Sequence, residues 1–151
     1  MEARMPNPVA VIPGALAGLQ ALSAAASKSG LAKSTIDLVH LRASQINGCG
    51  VCVQMHATDL RKSGQSDDRL FSVAAWRDTP YFTEEERAAL ELTEYATRLA
   101  DTSDPVPAEV FDAAAKQFSQ EQLASLVLQI AAINAWNRIN VVTGQIAGAW
   151  G

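Results

Sequence analysis

The chain has 151 residues, 48% of them apolar, which suffices for one hydrophobic core and predicts one domain, residues 1–151. The formal net charge is -4 with 12 basic residues scattered along the length, so there is no basic stripe for nucleic-acid phosphates and no polybasic segment for an anionic membrane surface. Residues 1–13 lack the basic start and apolar run of a secretory signal, and the most apolar later stretch, 123–136, is too short to span a bilayer, so a cytoplasmic location is expected.

Helical spacing recurs along the chain, and no stretch alternates apolar and polar residues long enough for a strand. The expected class is all-α, with about six to seven helices. Residues 15–27, rich in Ala and Leu, form the first and stop at Gly30. Ser34 with Asp37 has the form of a capping box, and Ile36, Val39, Ala43 and Ile46 continue that helix to about Asn47. Gly48 and Gly50 break the pattern, after which Val51, Met55 and Leu60 carry a second helix to Gly64. Beyond an interruption at Gln65 and Ser66, residues 70–76 predict a short helix ending before Pro80. Thr83 with Glu86 is another capping box, opening a helix to about Ala100. Residues 101–107 are a loop, Pro107 suits the first turn of a helix through Gln117, and Ser119 with Gln122 opens a final long helix reaching Val142 to Ala147.

The chemistry concentrates in residues 43–56. In a reducing compartment a close cysteine pair reads as redox chemistry, metal binding or coincidence, not as a structural staple. Cys49, Cys52 and His56 stand at offsets of zero, three and seven, which fall on one helix face. With Asn47 as N-cap, the cysteines would lie in the first turn, where free amides and the dipole favour a thiolate. His56, four residues beyond Cys52, can accept its thiol proton, and Cys49 can resolve an oxidised Cys52 as a disulfide. Two plainer readings stand beside this one. The cysteines could be small buried hydrophobes, or Cys49, Cys52, His56 and His40 could hold zinc.

Other polar residues carry double readings. Asp37 is either a cap or a proton relay, and His40 a surface or packing residue. Ser44 and Gln45 could line the site or simply sit near a helix end. Asn134, Asn137, Asn140 and Arg138 either cap, pair or face solvent, or form a subunit contact anchored by Trp136. Trp76 and Trp150 read as packing residues. No glycine-rich phosphate loop is present, so no nucleotide cofactor is expected.

The run Asp37 to His56, DLVHLRASQINGCGVCVQMH, resembles the core motif of the AhpD-like alkylhydroperoxidases in the carboxymuconolactone decarboxylase superfamily, and Asn134 to Asn140, NAWNRIN, is similar to a segment of its small members. The resemblance extends over about residues 9–145. It implies an all-helical fold, a homo-oligomer (trimer or hexamer), and hydroperoxide reduction through a reversible disulfide. By position, Cys52 would be the peroxidatic thiol, Cys49 its partner and His56 the proton relay, helped by Asp37. No metal or cofactor is implied. Electrons would come from an external dithiol, such as a lipoyl-bearing or thioredoxin-like protein. Two positions depart from the pattern: Asp37 replaces a glutamate, and Gly50-Val51 stands where the peroxidase branch has a histidine between the cysteines. Rival readings are a lactone decarboxylase, against which the cysteine pair counts, and a non-enzymatic redox sensor.

Overall fold

The structure, a computed structural model, describes residues 1–149. Among them are eight α-helices and no strand: α1 (Pro8–Val11), α2 (Ala15–Ala26), α3 (Lys33–Asn47), α4 (Gly50–Lys62), α5 (Asp67–Ser72), α6 (Glu84–Thr97), α7 (Ala108–Gln117) and α8 (Gln120–Val142). The all-α expectation holds, with one helix more than expected. The extra helix is α1, a single turn in the Pro-containing lead. Asn7 caps it by accepting from the Val9 N–H at 3.1 Å, and Pro8 sits in the first turn, where its missing N–H has no helical partner to lose. The short helix expected over 70–76 begins earlier, at Asp67 behind a Ser66 cap, and tightens into a 3-10 turn over Val73–Asp78.

The boxes at Thr83/Glu86 and Ser119/Gln122 form in both directions, each side chain meeting the other residue's backbone N–H. The box expected at Ser34/Asp37 does not form. Helix α3 starts at Lys33 behind Ala32, which leaves Ser34 inside the first turn, and the Asp37 carboxylate takes the Lys33 ammonium one turn back instead.

Helix α3 is central, with α4, α6 and α8 packed around it. One face sends Ile36 and Val39 into a cluster with Ala89 and Leu92 of α6, Val110 of α7, and Leu126 and Ile130 of α8. Leu38 and Leu41 pack on Leu60, Leu70, Trp76 and Leu90. A fully buried leucine of this kind contributes about 1.5–3 kcal/mol. A third, small cluster joins Ala43, Cys49, Cys52 and Ile133, so the two sulfurs belong to the seam between α3, α4 and α8.

Glu94 of α6 ties the other end together. Its carboxylate accepts from Arg42 Nε at 2.7 Å, Trp76 Nε1 at 3.0 Å and Arg77 Nη1 at 2.6 Å. Trp76 is therefore a packing residue with its polar edge satisfied, and Arg77 stacks over its ring at 4.3 Å. Trp150 lies outside the described residues. Among those described, no helix is long and apolar enough to cross a membrane.

Candidate active site

The site begins with the turn between α3 and α4. Gly48 adopts φ 69°, a left-handed conformation that glycine enters without penalty, and the Cys49 N–H reaches back to the Ser44 carbonyl at 3.0 Å. This closes α3 and makes Cys49 itself the N-cap of α4, its sulfur accepting from the Cys52 N–H at 3.4 Å. The expectation that Asn47 caps α4 is thus corrected. Asn47 still belongs to α3, and its amide donates across to Asn134 and Asn137 of α8, at 2.9 Å each. Gly50 is no breaker either, because it opens α4 with no positive φ.

Cys49 and Cys52 are joined as a disulfide, with Cα atoms 5.4 Å apart. In this state the pairing uses both sulfurs, so neither is a thiolate ligand while the disulfide stands. The two are not equivalent. A cleft of about 740 Å³ opens over Cys52, lined by Val51, Met55 and His56 of α4, His40 of α3, and Ile133, Trp136 and Asn140 of α8, while Cys49 lies behind it. Cys52 is only 1% exposed, so a reactant must enter this mainly apolar cleft to reach it.

His56 projects into the same cleft with both ring nitrogens buried and without a hydrogen-bond partner among the described residues. Burial, reinforced by the Lys33 ammonium, lowers its pKa to about 4, so the imidazole is neutral at pH 7 and one nitrogen is free to take a proton. His40, expected to be a surface or packing residue, is part of the site. Its ring meets His56 edge to face at 4.8 Å between centroids, and burial, then His56, lower its pKa to about 3 against the opposing pull of Asp37 and Gln129.

The hydrogen-bond network fixes the tautomer of His40. Gln129 Nε2 donates to the Ser23 carbonyl and the Ser27 hydroxyl, both at 3.1 Å, so Gln129 Oε1 is the end that faces His40 Nε2 at 3.1 Å. That nitrogen must carry the proton, which leaves Nδ1 with the lone pair. The sequence reading reached His40 only as a possible zinc ligand, because three-residue spacing from Asp37 does not say which face of α3 meets α4.

Asp37 is buried and bound to Lys33. No hydrogen bond joins it to either histidine, yet one ligand-type atom from each of Asp37, His40 and His56 lies within 4.8 Å of the others, a span that one water bridges. These are the described residues with the geometry to be considered for a metal ion. They fit poorly, because the Lys33 ammonium already neutralises the Asp37 carboxylate.

The asparagines of α8 pair within the chain, the plainer of the two readings of these residues. Asn137 donates to the Ser44 hydroxyl at 3.0 Å, Asn134 to Thr97 at 3.2 Å, and Asn140 reaches the Cys52 sulfur at 3.4 Å. Arg138 is exposed and donates back to the Asn134 carbonyl, while Trp136 walls the cleft. Ser44 is fully buried between α3 and α8, and Gln45 meets Arg42; neither lines the cleft.

Residues 13–95 match the carboxymuconolactone decarboxylase family. The uncharacterised protein YdfG of Bacillus subtilis (strain 168) is 38% identical over 122 residues, which cover 81% of this chain and 82% of YdfG. A solved structure of a protein of unknown function from Agrobacterium tumefaciens, suggested to be the antioxidant defence protein AhpD, superposes with a TM-score of 0.89 at 35% identity, covering 98% of this chain and 99% of that one. An uncharacterised peroxidase-related protein from Silicibacter sp. TM1040 shares the fold alone, with a TM-score of 0.80 at 18% identity over 93% of this chain and 74% of that one.

Proposed function

This chain belongs to the carboxymuconolactone decarboxylase family, and we propose that within it the protein is an AhpD-like thiol peroxidase cycling between a Cys49/Cys52 dithiol and disulfide. The observation that carries this reading is the asymmetry of the pair: Cys52 lines an apolar cleft beside a neutral His56 that has no hydrogen-bond partner among the described residues, and Cys49 waits behind it. The antioxidant role suggested for the Agrobacterium relative agrees with it.

In the reduced protein, His56 takes the Cys52 proton and leaves a thiolate at the cleft floor. The thiolate attacks one oxygen of a hydroperoxide; the S–O bond forms as the O–O bond breaks, and the departing alkoxide leaves as an alcohol with the proton held by His56. Cys52 is then a sulfenic acid. Cys49 attacks its sulfur, the S–S bond forms, the S–O bond breaks, and water departs. An external dithiol, lipoyl-bearing or thioredoxin-like, restores both thiols through a mixed disulfide and is itself oxidised. Asp37 and His40 relay the Cys49 proton, through bridging water, to the hydroxide that departs as water.

A cytoplasmic homo-oligomer, trimer or hexamer, is part of the same proposal. The purified protein should consume an alkyl hydroperoxide with excess dithiol, and Cys52→Ser and Cys49→Ser should abolish turnover. A pair that oxidises reversibly without turnover would instead indicate a redox sensor. Lactone decarboxylation that survives both cysteine changes would indicate a decarboxylase.

A further inference from the structure

We propose that Asn140 is a catalytic hydrogen-bond donor to the Cys52 thiolate and that Asn7, in the N-terminal turn, is the positioning residue that aims it. The amide Nδ2 of Asn140 lies 3.4 Å from Cys52 Sγ, and its Oδ1 accepts from Asn7 Nδ2 at 2.9 Å. Both asparagines are 6% exposed.

An amide side chain can turn either end to a partner, so the direction of such a chain normally has to be assumed. Here it is dictated from one end. The Val9 backbone N–H can only donate, and it donates to Asn7 Oδ1 at 3.1 Å. The other end of Asn7, its NH2 group, must therefore face α8, where only the carbonyl oxygen of Asn140 can receive it. That leaves the NH2 group of Asn140 pointing at the sulfur. A backbone donor in residues 8–11 thus fixes the polarity of a contact on a cysteine more than forty residues away along the chain.

The direction matters because the acceptor changes during the cycle. A disulfide or thiol sulfur accepts weakly, whereas a thiolate accepts strongly. A donor held in place before the charge appears stabilises the thiolate without reorganising, and does so best in a site closed to water. Cys49 draws on the helix instead, through the Cys52 N–H. The catalytic use of Asn140 rests on the thiol-peroxidase reading; the bond itself does not.

Other charges act on Cys52 as well. From its own helix come His56 and, at the cleft rim, Asp59 and Lys62; from α3 come His40 and, behind it, Asp37 and Lys33. The cleft residues from α8, Ile133, Trp136 and Asn140, are uncharged, so Asn140 is the polar influence from that side.

The test is the pH profile of iodoacetamide alkylation of Cys52, measured in a Cys49→Ser background without peroxide. Asn140→Ala should raise the alkylation midpoint by about one pH unit, the scale of losing one hydrogen bond to a charged group. Asn7→Asp, which keeps the acceptor for Val9 but cannot donate to Asn140, should raise it in the same direction. In a Cys52→Ser background, the Cys49 midpoint should not move with either change. A midpoint unmoved by Asn140→Ala, or an equal shift at Cys49, overturns the proposal. Should Asn140→Ala fail to fold, as judged by circular dichroism, Asn7→Asp decides alone, and its unmoved midpoint is equally fatal. A shift in a protein that consumes no peroxide would support the bond and count against the peroxidase reading.

Discussion

His40 and His56 meet edge to face, 4.8 Å between ring centroids, although one comes from the central helix α3 and the other from the cysteine-bearing helix α4. Both are neutral in the folded protein at pH 7, because burial opposes their charged forms.

Their neutrality predicts an acid-sensitive stability. The unfolded chain protonates each imidazole near pH 6.5, whereas the folded chain does so only near 4 for His56 and 3 for His40. Stability should be full above pH 6.5 and fall as the pH drops from there towards 4, since the unfolded state binds more protons throughout that window. Urea unfolding across pH 4–8 checks this, and His40→Gln and His56→Gln should each flatten the slope.

Glu94 predicts a second, lower window. Burial alone would raise its pKa, but hydrogen bonds from Arg77, Trp76 and Arg42 outweigh that and hold it at about 2. Its stabilisation is present above the unfolded value of 4.5 and is lost as the pH falls towards 2. Glu94→Gln should cost about 3 kcal/mol at neutral pH, the lower end for a broken buried pair, because Arg77 remains half in solvent. Denaturant titration at pH 7 reads the loss.

The two glycines around Cys49 should behave oppositely. Gly48→Ala forces a Cβ into a left-handed conformation at a cost of about 1–2 kcal/mol and should lower turnover by shifting the N-cap cysteine. Gly50→Ala should be tolerated or slightly stabilising, since its Cβ would meet only the Ala147 Cβ at 3.9 Å in the first turn of a helix. Thermal melts with dithiol-dependent turnover separate the two.

Much of this arrangement can be read in the sequence wherever the signal is local. The capping boxes at Thr83 and Ser119 and the offsets of Cys49, Cys52 and His56 involve neighbours within two helical turns. The box at Ser34 misled because Ser34 and Asp37 match its spacing just as well from inside a helix that starts two residues earlier than the box requires. The contacts that orient His40 and Asn140 were not legible for a different reason: their partners, Gln129 and Asn7, are 89 and 133 residues away along the chain, and spacing carries no information about such pairings.

His56 should act as the base only while unprotonated. His56→Ala should lower turnover by about 10²–10⁴, the usual contribution of a positioned acid–base group, with the disulfide still able to form under an added oxidant. Steady-state rates with free-thiol counts make the comparison.

The assignment of Cys52 as the attacking thiol is tested most directly by trapping its sulfenic acid. In Cys49→Ser protein, one equivalent of hydroperoxide followed by dimedone should place the label on Cys52, read by peptide mass spectrometry, while Cys52→Ser protein should leave Cys49 unlabelled. Label on Cys49, or on neither cysteine while peroxide is consumed, would contradict the proposed chemistry.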